Sequence, residues 1–183
     1  MKKKDYSKKV STKCICFLCF IICLLGPFGF AQQTQINYQT QQLIDNRWSY
    51  TYEVCNINLA QGVQEFTIWF DFGLYNNLAI ETSGTLANNW NEIIWQPNSV
   101  IGDAGGYDAL GVGFNIGAGE SISGFAVGFD WNGTSVPGSQ FYQIINPLTF
   151  ETIESGYTIP EPATCILLLS GVLLIKRKNI RRV

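Results

Sequence analysis

Histidine is absent from all 183 residues. The commonest general base near neutral pH is therefore missing, and with it histidine-dependent hydrolase triads and most zinc sites. Positive charge is nearly absent from the middle of the chain, where Arg47 is the one cation between Gln32 and Pro160. The same stretch holds twelve carboxylates, from Asp45 to Glu154, against that single cation, a formal charge of −11 that the whole-chain value of −2 conceals. With no cationic patch to displace counterions, neither nucleic acid nor an anionic membrane surface is an expected partner of this region. Cysteine is scarce in the same place. Cys14, Cys16, Cys19 and Cys23 lie near the start and Cys165 near the end, so Cys55 stands alone. No disulfide can then form within the central region. Cys55 reads either as a small apolar strand residue or as half of an intermolecular disulfide in an oxidising compartment.

Cations concentrate at the two ends. Lys2, Lys3, Lys4, Lys8, Lys9 and Lys13 precede an apolar run from Cys14 to Leu25, which Gly26-Pro27 terminates. Gly29 and Ala31 then supply small residues at the two positions that a signal peptidase inspects. A charged start, a short apolar core and a small-x-small site predict a secretory signal peptide over residues 1–31, cut after Ala31. The apolar run is too short for a retained membrane span.

At the other end, Ile159-Pro160-Glu161-Pro162-Ala163-Thr164 leads into an apolar run in which only Ser170 and Gly171 interrupt Cys165 to Ile175. Lys176-Arg177-Lys178-Asn179-Ile180-Arg181-Arg182 follows. The prolines keep the first segment extended. The basic cluster resists crossing a membrane and stays on the cytoplasmic side. From Ala163 to Ile175 a helix would be roughly 20 Å long, against about 30 Å of hydrocarbon. Length alone suits a buried or interfacial helix, whereas the flanks, with snorkelling of Lys176 and Arg177, suit a short span.

These residues and their order resemble the PEP-CTERM sorting signal of bacterial exported proteins. That resemblance implies recognition of Pro160, Glu161 and Pro162 by an exosortase, a transient transmembrane helix over 163–175 and a basic tail over 176–183. It also implies delivery to the cell surface or an exopolysaccharide matrix. The expected organisation is a signal peptide (1–31), an ectodomain (32–158) and a sorting signal (159–183).

The ectodomain shows period-two patterning. Trp48, Tyr50, Tyr52 and Val54 alternate with polar residues. Phe66, Ile68 and Phe70 form a second apolar set, with Trp69 out of phase. Leu110, Val112, Phe114 and Ile116 form a third, and Phe125, Val127, Phe129 and Trp131 a fourth. Shorter candidate strands are Gln35–Thr40, Leu78–Thr82, Asn91–Trp95, Phe141–Ile145 and Thr149–Ile153. Turn signals include Gly105-Gly106, Gly117-Ala118-Gly119 and Asn132-Gly133. The last is the strongest hairpin signal, since both residues tolerate positive φ. Many short strands with frequent turns predict an all-β fold, a two-sheet antiparallel β-sandwich of Ig-like or jelly-roll type. Three stretches, Gly117–Phe125, Val136–Phe141 and Asn146–Glu151, also resemble β-sandwich ectodomains often attached to such tails, which implies a sandwich and no particular activity.

Candidate chemistry is sparse. A glycosidase would draw a facing pair from Glu53, Glu65, Asp71, Asp103, Asp108 and Asp130, and no spacing selects one. Gly102-Asp103-Ala104-Gly105-Gly106-Tyr107-Asp108 is the best calcium candidate, with Asp103 and Asp108 as ligands, and a plain turn is the simpler reading. Trp48 and Trp131 continue the apolar phase of their strands and are expected in the core. Trp90 and Trp95 sit beside Asn88, Asn89, Asn91 and Gln96, and are the candidate carbohydrate-binding pair, with structural packing as the alternative. The expected role is that of a structural or adhesive, non-enzymatic surface or matrix protein, alternatively a carbohydrate-binding module acting on exopolysaccharide. Expected partners are signal peptidase, exosortase and exopolysaccharide or other surface proteins.

Overall fold

A computed structural model describes residues 32–98 and 100–161. Gly29 and Ala31 of the expected signal peptide, the last proline of the expected sorting motif (Pro162), the apolar run 163–175 and the basic tail lie outside the described residues. Among the described residues no helix is long and apolar enough to cross a membrane.

The described residues form strands β1 (Thr34–Ile44), β2 (Arg47–Asn56), β3 (Glu65–Phe70) and β4 (Tyr75–Ile80). A single short helix, α1 (Gly84–Asn89), precedes β5 (Trp90–Trp95), β6 (Gly105–Gly111), β7 (Ser121–Trp131), β8 (Phe141–Ile145), β9 (Thr152–Tyr157) and β10 (Ile159–Pro160). One sheet has the order β10-β1-β2-β7-β4 and the other β5-β6-β3-β8-β9. Pairing is antiparallel throughout except between β1 and β10. The fold is a two-sheet antiparallel sandwich.

Alternation in the sequence decides which side chains face the interior. Tyr50, Tyr52 and Val54 of β2, with Phe125, Val127 and Phe129 of β7, meet Phe66, Ile68 and Phe70 of β3 and Tyr142 and Ile144 of β8, all essentially inaccessible. Aromatic contacts tie the two layers together. Phe70 meets Tyr75 edge-on at 5.1 Å, and Phe66 meets Phe125 edge-on at 4.9 Å. Each such buried side chain contributes about 2–3 kcal/mol of transfer free energy.

Tyrosine in the core brings hydroxyls that need partners. Gln140, itself buried, supplies them: its Nε2 donates to the Tyr50 hydroxyl (2.6 Å) and the Tyr75 hydroxyl (3.2 Å), and its Oε1 accepts from Tyr52 (3.2 Å) and from Thr158 (3.1 Å). Burial pushes the Tyr50 and Tyr52 hydroxyls well above the usual phenol range and raises that of Tyr75, so they act only as neutral hydrogen-bonding groups.

Several expectations are corrected. The apolar run Leu110–Ile116 is not one strand: β6 ends at Gly111, Gly113 has φ +74°, and Val112 and Phe114 are exposed while Ile116 is buried after the turn. Gly105-Gly106 is not a turn but the start of β6. Asn132-Gly133 is not a hairpin, because β7 and β8 belong to different sheets and the chain crosses between them. Gly133 takes an ordinary φ there, and its missing β-carbon instead leaves room for the Trp131 indole. The positive-φ turn falls at Asp45 (φ +50°), between β1 and β2. The strand expected at Leu78–Thr82 begins earlier, and that at Thr149–Ile153 begins later, after Phe150 takes φ +59°. The sandwich also runs past Thr158: Ile159 and Pro160 align in parallel with Asn37 and Tyr38, and the Glu161 N–H donates to the Tyr38 carbonyl (2.9 Å). Proline is tolerated because β10 is an edge strand.

Candidate functional site

Trp90 and Trp95 both lie on β5, but their spacing is odd, and in a strand an odd spacing puts two residues on opposite faces. Trp90 faces inward opposite Gly111 and is 3% exposed, packed against Phe66 (5.9 Å) and Phe125 (5.0 Å). It belongs to the core and offers nothing to a ligand, which corrects its candidacy. Trp95 faces outward and is 37% exposed.

The partner of Trp95 on that outer face is Trp69. Both are in register with Gly106, Trp95 from β5 and Trp69 from β3. Their ring centroids are 5.5 Å apart with planes at 71°. Gly106 makes this possible: a β-carbon there would fall within the benzenoid edge of the Trp95 indole. Trp95 therefore lies over the bare backbone of β6. Trp69 is held from the other side, its Nε1 donating to Gln143 Oε1 of β8 at 2.9 Å. Gln143 Nε2 in turn donates to Thr152 (2.9 Å), and the Thr67 hydroxyl donates to Asp108 (2.7 Å). The two indoles are fixed by their surroundings before any ligand arrives.

The β5–β6 connection closes one end of this platform. Trp69, Trp95, Asn98, Ile101 and Asp103 line a shallow cleft of about 340 Å³. Gln96 also borders it, but its amide is occupied: Oε1 accepts from the Leu78 N–H (2.8 Å) and Nε2 donates to the Leu78 carbonyl (2.7 Å). Gln96 thus clasps the edge of the opposite sheet and is not free for a sugar hydroxyl.

Asp103 and Asp108 do not form a calcium loop. Gly105–Asp108 is strand and not loop, so Asp108 is fixed on the outer face against Thr67, while Asp103 sits in the turn that Asn98 closes by donating its N–H to the Asp103 carbonyl (3.0 Å). Among the described residues no group of three or more acidic, cysteine or histidine side chains is arranged to hold a metal. Asp108 is instead a half-buried carboxyl raised above its usual range by desolvation. Glu65, one pleat away on β3, is raised by desolvation and then by the charge of Asp108, and its Oε2 is covered without a hydrogen-bond partner.

On the other sheet's outer face Arg47 is taken up by Glu81 (3.6 Å) and Asp130 (3.3 Å). Glu53 is lowered by hydrogen bonds from Asn37 foremost, then Ser121 and Ser123. Cys55 faces outward beside it, half-buried; burial and the Glu53 charge push its thiol up to about 11, so it is a poor nucleophile at neutral pH. Trp48 and Trp131 are half-buried at the rim of the core. Of the expected sorting motif, Pro160 and Glu161 are described, the latter accepting a hydrogen bond from Gln39 Nε2.

No protein-family model and no curated protein sequence matches the chain. Among solved structures, the chitin-binding domain of Chi18aC from Streptomyces coelicolor aligns over 72% of this chain and 98% of its own, at 15% identity and a TM-score of 0.35. A likeness that slight carries no argument about fold or ligand.

Proposed function

We propose that the chain is an exported bacterial protein of the cell surface or extracellular matrix, whose sandwich adheres to polysaccharide through the outer face of the second sheet. Trp69 and Trp95, seated side by side across Gly106, are the observation that carries this reading. Exposed, preorganised aromatic rings stack on the apolar faces of pyranose rings, and their rigidity limits the entropy lost on binding. The amide of Gln143 and the hydroxyl of Thr152 border them. The role is adhesive and needs no turnover.

Export and sorting rest on the terminal segments: a signal peptide cut after Ala31 and an exosortase acting around Pro160-Glu161-Pro162. Intact mass spectrometry of the protein from its native host tests this half, since both cut sites follow from the mass. Recovery of an uncut chain from the cytosol would end it. Titration of tryptophan fluorescence with extracellular polysaccharide tests the other half, because Trp95 is solvent-facing and a ligand stacked on it must alter its emission. A flat response across neutral glycans would remove the binding role.

A further inference from the structure

The register of the second sheet extends the aromatic platform beyond the two tryptophans. In β3 and β8, Thr67 is opposite Gln143 and Ile68 opposite Tyr142. One position further along each strand, Trp69 and Phe141 share the outer face. Phe141 is paired with Tyr157 of β9, and their rings meet edge-on at 5.6 Å. A single row therefore crosses the strands in the order Trp95, Gly106, Trp69, Phe141, Tyr157. Four strand spacings of about 4.8 Å make it roughly 19 Å long. Phe141 is 36% and Tyr157 66% exposed, unusual for aromatic residues with no structural need to face water. Parallel to it, one pleat along the strands, runs the row Ile93, Asp108, Thr67, Gln143, Ser155, in which Asp108, Gln143 and Ser155 carry polar groups at the surface and Thr67 is buried beneath them.

Charge narrows the occupant. Neither row contains a lysine or arginine, and Arg47 is held in ion pairs on the other sheet. Asp108 and Glu65 place part of the ectodomain's formal charge of −11 on this face. An anionic polymer would be repelled, and an uncharged one would not. An apolar stripe with a hydrogen-bonding stripe beside it matches a chain of equatorially linked pyranoses, whose ring faces are C–H and whose rims are hydroxyl.

We infer that the binding surface spans the full width of the second sheet, across its strands, and that it takes an extended, uncharged β-linked polysaccharide in preference to short sugars. This rests on the carbohydrate-binding reading above and goes further in naming the ligand class, its direction and a second aromatic subsite at Phe141–Tyr157. Separate weak stacks along one chain reinforce one another, so affinity rises with ligand length until the row is covered.

The test uses the full chain with co-sedimentation on cellulose, chitin and alginate gel, and calorimetry with a β-linked disaccharide and hexasaccharide. Expected results are retention by cellulose or chitin, none by alginate, and tighter binding of the hexasaccharide. Tyr157→Ala and Phe141→Ala should each weaken hexasaccharide binding roughly three- to tenfold, the scale of one aromatic contact, and weaken the disaccharide, which the tryptophans alone can hold, by less. Trp95→Ala should weaken both. Tyr157 is an edge-strand residue outside the core, so its variant keeps the test open if Phe141→Ala fails to fold. Undiminished hexasaccharide binding by Tyr157→Ala would overturn the extended row while leaving the tryptophan site standing. Retention by alginate would overturn the charge argument. Failure of the wild-type chain to bind any neutral glycan, or a concentration-dependent dimer that Tyr157→Ala abolishes, would overturn the inference and the reading beneath it together.

Discussion

Gly106→Ala separates a positioning role for this glycine from a merely structural one. Its φ is not in the left-handed region, so a strand alanine is allowed by the backbone and by itself would stabilise the strand by about 0.5–1 kcal/mol. The added methyl falls inside the Trp95 indole, which must swing away. If about 50 Å² of apolar contact is lost, the penalty is roughly 1.3 kcal/mol at 25 cal/mol per Å². Net stability then changes by less than about 1 kcal/mol, while the stacking surface loses its seat. The expected pattern is a small shift in the urea midpoint, a red-shifted tryptophan emission and a glycan affinity reduced roughly three- to tenfold. Gly138→Ala is the control, because nothing lies within 4 Å of its added carbon. It should raise the midpoint and leave emission and affinity alone. Wild-type emission and affinity in Gly106→Ala would refute the claim that the bare backbone of β6 seats Trp95.

Gln140→Ala removes the one hydrogen-bond partner that the Tyr52 hydroxyl has among the described residues, so it should cost about 1–3 kcal/mol beyond the loss of packing. A urea double-mutant cycle with Tyr52→Phe should show coupling of about 1 kcal/mol, and strict additivity would refute the network. Glu65→Gln should stabilise the fold at neutral pH. A carboxyl raised on folding opposes folding when ionised, so its contribution is intact in acid and is lost as pH rises through the folded pKa. The gain should be no more than about 1 kcal/mol, since the group is partly solvated, and thermal melts should show it vanish below about pH 4. In hydrogen exchange, the Glu161 amide should exchange faster than the Thr158 amide by roughly tenfold or more, because the first closes a two-residue edge strand and the second is buried. Equal protection would show β10 to be part of the core.

Period-two alternation made β2, β3 and β7 legible, because each buries one face against the opposite sheet and the code is direct. The Gly-rich strand β6 was not. Gly105 and Gly106 look like turn residues, yet in the fold a β-carbon at each would collide, with Pro97 and Trp95 respectively. Glycine there records close approach and not a bend, and the two uses are identical in sequence. The short helix α1 buries none of its residues, so it leaves no apolar stripe to read. At the site, the outward phase of Trp69 was visible as a break in alternation, and the odd spacing of Trp90 and Trp95 held the signal that separates them. What joins Trp95 to Trp69 and Trp69 to Phe141 is register across four strands, and no local pattern specifies it.

The exit of the chain from the sandwich has two stages of unequal strength. Thr158, where the chain passes from the second sheet to the first, is 1% exposed, and it is locked by three contacts with Gln140: its N–H donates to the Gln140 carbonyl (2.8 Å), its hydroxyl donates to Oε1 (3.1 Å) and accepts from the Gln140 N–H (2.9 Å). Beyond it, β10 is held only at the edge, with no N–H on Pro160 to add. A processing enzyme that needs an extended substrate at Pro160-Glu161 can therefore lift β10 without disturbing Gln140 or the tyrosines it satisfies. Tyr157, the last residue of the aromatic row, lies on the protected side of that lock. On the proposed reading, removal of the tail and use of the platform would be mechanically independent, as a protein that works after its tether is cut requires.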